Sequence, residues 1–297
     1  MNRRHIAKKL FINQRRYYGK LINLHDGYPG SKTVTVYVKG FLSRGETAKD
    51  FTRWSKSHYE NMKWDPLCFG YVWQNQHFTS HFSHVLSEDF SDKIPSLGRQ
   101  IIPIPVLTMT NIALRLIWKR RFFTNPYLLV GSLAVDTGLI CRQIYEQYNE
   151  ARANAREHAP KFTEELVKLR DKLGPKIKVR VVAHSLGCQL AIRAMDQNLV
   201  DELHLLAPAI TSANLEEIID HHNGKIPVDK IRIYYSDHDY ILRIFEWLED
   251  GNSIGLRGVD KKLLESHPNL DQIDVTDYLD GPNKHKSFSW TFNKFVN

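Results

Sequence analysis

The segment Val-Arg-Val-Val-Ala-His-Ser-Leu-Gly-Cys-Gln-Leu-Ala, residues 179–191, carries the clearest structural signal in the sequence. Its first four residues form a short apolar run, interrupted by Arg180, which predicts a buried strand. Residues 189–195 have a helical pattern. A strand followed at once by a helix, with Ser185 and Gly187 in the turn between them, predicts a nucleophile elbow, in which the serine protrudes from a sharp turn.

The residues on either side of the serine fit this interpretation. The backbone of such an elbow is strained, so the residues two positions before and two positions after the serine must be small. Ala183 and Gly187 meet this requirement, with alanine at the position where the usual pattern has glycine. The helix after Ser185 would direct its unpaired N–H groups and the positive end of its dipole toward an oxyanion.

Strand and helix patterns alternate along the rest of the chain. Short apolar or β-branched runs predict strands, and longer segments between them predict helices. The predicted strands are residues 33–39, 68–73, 179–182, 202–206, 231–235 and 273–275, and the predicted helices are residues 48–59, 125–159, 161–173 and 189–195. We therefore predict an α/β fold with a mostly parallel central sheet and helices on both faces.

A candidate acid follows the nucleophile at the end of a strand. Serine needs a base to take its proton and a carboxylate to orient that base, and in the α/β-hydrolase fold both follow the serine, the acid first. Strand 231–235 leads into Ser-Asp-His-Asp at its carboxyl end, where open α/β sheets bind ligands. We favour Asp239 as the acid and keep Asp237 as the alternative, and either residue could instead cap the helix that begins near Ile241.

The candidate base is expected on a loop after the last strand. The segment Gly-Pro-Asn-Lys-His at residues 281–285 forms this loop, so His285 is the candidate, against the alternative of a surface histidine without a role. His267 precedes the last strand, and His221 and His222 precede the acid. These three histidines are therefore poorer candidates.

The oxyanion hole requires a second N–H group from the loop after an earlier strand. Gly40 ends the strand at residues 33–39 and lets the backbone approach another segment closely. We therefore expect the N–H groups of Phe41 and Leu186 to be the two donors.

Charge and composition limit the remaining possibilities. The chain has 297 residues and a formal net charge of +8, concentrated before Asp26. We interpret residues 1–30 as a basic arm with room for an edge strand, and residues 31–297 as one domain. The arm could contact acidic lipid, but a solvated arm is favoured, and direct nucleic-acid recognition is disfavoured because no known reader motif is present.

The sequence also predicts a cellular setting. Its N-terminus lacks the apolar core of a secretory signal, and no stretch reaches the ~20 apolar residues needed to span a bilayer. The three cysteines, Cys68, Cys141 and Cys188, are widely spaced, which favours reduced thiols. We expect a cytoplasmic protein, either free or peripheral to a membrane.

An irregular segment over about residues 75–125 is interpreted as an inserted helical cap. Within it, residues 101–123 mix apolar side chains with a basic run. They would form either a lid that also touches an anionic membrane surface or, preferably, an ordinary buried insertion. His77, His81 and His84 share one helical face, but no carboxylate or cysteine joins them, so we favour an amphipathic helix over a metal site.

Several short motifs together resemble a known family. They are Val-Lys-Gly-Phe-Leu (38–42), Asn-Pro-Tyr (125–127), Val-Ala-His-Ser-Leu-Gly (182–187), Val-Asp-Glu-Leu-His-Leu-Leu-Ala-Pro (200–208), Tyr-Tyr-Ser-Asp-His-Asp-Tyr-Ile-Leu (234–242), Gly255-Leu256 and His285-x-x-Phe288. In this order the chain resembles a group of poorly characterised α/β-hydrolases that includes the eukaryotic transmembrane and coiled-coil domain proteins. The resemblance implies a triad of Ser185, Asp239 and His285, and it favours Asp239 over Asp237. It implies little about the substrate.

These features favour a serine hydrolase, of the carboxylesterase or lipase type, that cleaves an acyl ester of a lipid or other small molecule. The same elbow would serve a thioesterase or a peptidase, because the acyl-transfer chemistry is shared. A different class of protein would be a non-catalytic module that binds anionic lipid or a protein partner. The expected chemistry calls for neither a metal nor another cofactor.

Overall fold

A computed structural model describes residues 18–27, 30–41, 47–61, 64–73, 126–195, 199–224, 226–246, 251–281 and 283–296. For residues 60–61, 126–141, 143–144 and 244 it describes the backbone alone. The predicted insertion at residues 75–125, with its three histidines and the 101–123 segment, lies outside the described residues. The basic arm before Tyr18 lies outside them as well.

A sheet of seven strands forms the centre of the described chain. The strands are β1 (Lys20–His25), β2 (Thr33–Val38), β3 (Cys68–Val72), β4 (Lys178–His184), β5 (Glu202–Leu206), β6 (Lys230–Tyr235) and β7 (Leu270–Asp274). Their order in the sheet is β1-β3-β2-β4-β5-β6-β7, and β1 alone runs antiparallel to its neighbour. The predicted α/β architecture with a mostly parallel sheet is confirmed. Strand β1 lies within the segment interpreted as the basic arm and occupies one edge.

Helices flank this sheet. They are α1 (Thr52–Asn61), α2 (Pro126–Leu173), α3 (Leu186–Arg193), α4 (Ser212–His221), α5 (Tyr240–Glu246), α6 (Ile254–Arg257), α7 (Lys261–Ser266) and α8 (Lys284–Thr291). Short 3-10 turns occupy Ala48–Phe51, Thr276–Tyr278 and Phe292–Lys294. No helix in the described ranges is both long enough and apolar enough to cross a bilayer.

The two faces of the sheet bury separate apolar clusters, because successive side chains of a strand point to opposite faces. In β4, Val181 packs in one cluster with residues of α2 and α3, whereas Val182 packs in the other with residues of α1 and α8. A parallel strand covered on both faces needs apolar residues at most positions. The short continuous apolar run that predicted β4 therefore follows from its central place in the sheet.

Helix α2 corrects one prediction. The sequence predicted two helices, over residues 125–159 and 161–173, because proline in a helix interior removes a hydrogen bond and clashes with the preceding turn. The structure has one continuous helix, with Pro160 on its exposed side. A buried stripe at helical spacing runs past the proline: Tyr148, Ala151, Ala155, Ala159, Phe162, Leu166 and Leu169. Packing of this stripe outweighs the local tendency to break.

Other boundaries also differ from the predictions. Strand β7 covers residues 270–274 rather than 273–275, and residues 276–278 form a 3-10 turn. Helices α4, α6 and α7 were not predicted. Short helices of this kind depend more on packing against the sheet than on local propensity, so the sequence alone gives a weak signal for them.

Candidate active site

Ser185 lies in the strained turn that the sequence predicted between β4 and α3. Its backbone has φ 56° and ψ −127°, a conformation that costs a non-glycine residue on the order of 1–3 kcal/mol. The neighbouring strand holds it there, because the Ser185 N–H donates to the Leu206 carbonyl over 2.9 Å. The Ser185 carbonyl in turn accepts from the N–H groups of Cys188 and Ala209 at 3.0 and 3.2 Å. Hydrogen bonds to both the N–H and the carbonyl of Ser185 therefore hold the turn in place.

Small residues let the loop after β2 pack directly against this turn. A β-carbon on Gly187 would lie 2.6 Å from the Lys39 carbonyl oxygen. A β-carbon on Gly40 would lie 2.6 Å from the β-carbon of Ser185 and 3.1 Å from its Oγ. Ala183, the predicted small residue before the serine, is fully buried. Gly40 therefore lies so close to Ser185 that position 40 has no room for a side chain.

The two expected oxyanion donors are both unpaired in the described structure. Leu186 is the first residue of α3, so its N–H has no partner within the helix. Phe41 directly follows Gly40, which touches Ser185. Neither N–H donates a hydrogen bond to any described residue. Free N–H groups beside a serine can stabilise the negative charge that develops during acyl transfer.

Asp239 is bonded to His285 and also caps a helix. Its Oδ2 lies 2.6 Å from the Nδ1 of His285. Its Oδ1 accepts from the N–H groups of Ile241 and Leu242, each over 3.1 Å, at the start of α5. The carboxylate is completely buried. One oxygen of Asp239 thus caps α5, as the sequence allowed, and the other contacts the candidate base His285.

The alternative acid lies elsewhere. The side chain of Asp237 is 67% exposed and its Oδ1 accepts a hydrogen bond from the Thr276 hydroxyl over 3.2 Å. Of the two candidate acids, only Asp239 contacts His285 among the described residues.

His285 lies in the first turn of α8, whereas the sequence predicted a loop. Asn283 begins this helix, because its side chain accepts from the Lys286 N–H over 3.1 Å. The loop therefore ends two residues before the histidine. The other histidines that were considered, His221, His222 and His267, lie at the ends of α4 and α7.

The site also contains a residue that the sequence reasoning missed. His184, the last residue of β4, stacks on His285 with ring centroids 4.6 Å apart, and its Nε2 donates to the His285 carbonyl over 2.9 Å. Burial holds the pKa of His184 well below its usual value, so the ring is neutral. The only signal in the sequence was its place next to Ser185, which was interpreted as part of the turn alone.

His184 also brings Ser185 and His285 to the same place, because it adjoins one and contacts the other. Within the described chain the Ser185 Oγ and the His285 ring do not form a hydrogen bond with each other. Catalytic hydrogen bonds of this kind often form only when substrate is bound.

Aromatic side chains adjoin the expected oxyanion loop. The ring of Phe41 meets those of Tyr148 and Phe245 edge-on, at centroid distances of 5.7 and 6.2 Å. Tyr148 and Phe245 stack at 4.5 Å. These rings, from the loop after β2 and from helices α2 and α5, give this side of the site an apolar character.

An open cavity of about 960 Å³ lies at the other edge of the sheet. Its lining includes Asp201, Asp229 and Asn269, which immediately precede β5, β6 and β7, and Gly174, which lies four positions before the start of β4. Because parallel α/β sheets bind ligands at the carboxyl ends of their strands, this cavity is not the candidate active site.

The arrangement around Ser185 can support acyl transfer. It combines a strained serine, a histidine bonded to a buried carboxylate, and two N–H groups that have no hydrogen-bond partner among the described residues. Comparisons of the chain with protein-family models, curated proteins and solved structures found no match.

Proposed function

We propose that the protein is a serine hydrolase of the α/β-hydrolase fold that cleaves carboxylic esters, as a carboxylesterase or lipase-like enzyme. The observation that carries the proposal is the 2.6 Å contact between Asp239 and His285. This contact lies at the carboxyl edge of the sheet, the same edge that holds Ser185 in its strained turn with φ 56°. A buried carboxylate bonded to the Nδ1 of a histidine orients the other ring nitrogen toward a nucleophile. The resemblance seen in the sequence supports the same set of three residues.

The proposed reaction has two halves. The Ser185 Oγ attacks the ester carbonyl while the Nε2 of His285 takes the hydroxyl proton, and Asp239 stabilises the imidazolium that forms. The N–H groups of Phe41 and Leu186 hold the oxyanion. His285 then gives its proton to the departing alcohol, leaving an acyl group on Ser185. Water, deprotonated by His285, attacks this acyl-enzyme; the bond between the acyl carbon and the Ser185 Oγ then breaks, His285 returns its proton to the Oγ, and the acid product leaves.

The aromatic side chains near the site favour an apolar acyl group. Phe41, Tyr148 and Phe245 pack against one another beside the proposed oxyanion hole. Such a surface is unsuited to a charged acyl group, because it offers no compensation for lost hydration. Short or medium fatty acyl esters therefore fit the site better than esters of dicarboxylic acids.

A fluorophosphonate probe tests the proposal directly, because it reacts with an activated serine and adds a fixed mass. We expect the wild-type protein to gain one label in intact-mass spectrometry and Ser185→Ala to gain none. Ser57→Ala is the matched control, since Ser57 is also buried but lies on α1 and bonds Asn293. An unlabelled wild-type protein, or labelled Ser185→Ala, would contradict the proposal.

Hydrolysis assays then identify the bond. Among esters, thioesters and peptides with the same acyl group, we expect the esters to be hydrolysed fastest. Ser185→Ala should abolish this turnover. Faster turnover of the thioester or peptide in every matched pair would replace the ester assignment while keeping the nucleophile.

A further inference from the structure

His184 connects the proposed nucleophile to the proposed base. Its main chain continues directly into the strained peptide of Ser185. Its side chain reaches the first turn of α8, where the Nε2–H donates to the His285 carbonyl over 2.9 Å. One residue thus links the elbow to the backbone of the histidine on a different element.

The surroundings of His184 hold its ring in one place. The ring lies 5.7 Å from that of Trp54 and 6.0 Å from that of Phe288, measured between centroids, and the residue is 7% exposed. Because the Nε2 is the donor in the bond to His285, the neutral ring carries its proton on that atom. A fixed donor on a fixed ring can set the position of the group it bonds.

The contact of His285 with Asp239 restrains its ring but not the position of its backbone. Asp239 binds the Nδ1 of the His285 ring and so controls the rotation of that ring. It does not by itself set how far the first turn of α8 lies from Ser185. The bond from His184 to the His285 carbonyl supplies this second restraint.

We infer that His184 is a positioning residue, which holds the backbone of His285 so that its imidazole can reach the Ser185 hydroxyl. This inference rests on the proposed hydrolase function. The neutrality of His184 serves the same end. A charged ring there would stand 4.6 Å from His285, between centroids, and would oppose the positive charge that His285 takes up during proton transfer.

Three substitutions at one position separate positioning from simple packing. His184→Gln keeps a neutral N–H donor near the place of the Nε2. His184→Asn keeps an amide of the same chemistry but is too short to reach the His285 carbonyl. His184→Phe keeps the ring contacts with Trp54 and Phe288 and removes the donor. His204→Phe is the control, because His204 is also buried but bonds Tyr234 rather than any residue of the site.

The first readout is steady-state kinetics on a soluble p-nitrophenyl ester. For His184→Asn and His184→Phe we expect kcat to fall roughly 10- to 100-fold, because a shift of about 1 Å in a reacting group can cost on the order of 10²-fold. KM should stay within about twofold, since no substrate contact is lost. His184→Gln and the control should each keep kcat within about threefold of the wild type.

The second readout does not depend on turnover. A short bond from the His285 Nδ1–H to a carboxylate gives a proton resonance far downfield, assigned by its absence in His285→Gln. We expect it to persist in His184→Gln and to broaden or disappear in His184→Asn. Thermal unfolding of each variant shows whether it is folded, and the Gln and Asn pair remains informative if His184→Phe does not fold.

The outcomes separate the two proposals. Wild-type turnover that is lost in Ser185→Ala, together with equal kcat for His184→Asn and His184→Gln, would overturn the role of His184 and leave the hydrolase proposal standing. A wild-type protein without turnover would instead contradict the proposed function. If kcat fell as much in His204→Phe as in His184→Phe, the loss of any buried histidine would explain the effect, and the positioning role of His184 would be overturned.

Discussion

The carboxylate of Asp239 and the imidazole of His285 meet at 2.6 Å although 46 positions separate them in the chain. Asp239 stands at the start of α5, just after β6, and His285 stands in the first turn of α8, after β7. Both strands end at the same edge of the sheet, so the topology brings the two residues together. The buried aspartate therefore orients one histidine and begins one helix at once.

The first prediction concerns the choice of acid. Asp239→Asn should lower kcat on the order of 10⁴-fold, because an amide favours the wrong tautomer of His285. Asp237→Asn should leave kcat within about twofold, since Asp237 is exposed and does not contact His285. Ester hydrolysis by the purified variants checks this. The reverse ranking would show that Asp237 is the functional acid.

The strain at Ser185 predicts a stabilising but inactivating substitution. Ser185→Gly should have a free energy of unfolding about 1 kcal/mol higher than that of Ser185→Ala, because glycine adopts positive φ without steric cost. Urea unfolding of the two variants measures this difference. Both variants should be inactive. Equal stability of the two would show that the turn stores no strain.

The contact between Gly40 and Ser185 predicts a second sensitive position. Gly40→Ala would place a β-carbon 2.6 Å from that of Ser185, so the loop or the elbow must shift. We expect a loss of roughly 1–3 kcal/mol in stability, as for other overpacked sites, and a fall in kcat of at least tenfold. Ala183→Gly is the control, because glycine is usual there, and it should keep most of the activity.

The aromatic group beside the oxyanion loop predicts chain-length selectivity. Phe245→Ala should lower kcat/KM more for an octanoyl than for an acetyl ester, because the longer chain would contact the ring that stacks on Tyr148. Tyr278→Ala, which removes an exposed ring, should change neither value. A uniform loss for both esters would argue against acyl contact with Phe245.

Buried histidines away from the site predict sensitivity to acid. Burial lowers the pKa of both His58 and His204 from 6.5 to about 4. Between these values the unfolded chain binds more protons than the folded one, so the free energy of unfolding falls as the pH drops from 6.5 toward 4. His58→Gln should flatten this slope, as measured by urea unfolding at several pH values. An unchanged slope would mean that His58 titrates alike in both states.

The local features of the site were readable from the sequence, whereas its three-dimensional contacts were not. The turn at Ser185 was predictable because strand, small residues and helix follow one another within a few positions. The end of strand 231–235 predicted a candidate acid at Asp237 or Asp239, and only the resemblance favoured Asp239, the one that contacts His285 in the structure. The continuity of α2 past Pro160, and the contact of His184 with His285, depend on packing between distant segments. Local sequence patterns do not predict such packing.

Ser185 and Asp239, two members of the proposed triad, affect the stability of the folded state in opposite ways. The serine costs stability through its backbone, whereas the aspartate adds stability by capping α5. Under the proposed function, a descendant that lost activity would therefore gain stability by replacing its serine but lose stability by replacing its aspartate. Among relatives of this chain, position 185 rather than position 239 would distinguish working enzymes from idle ones.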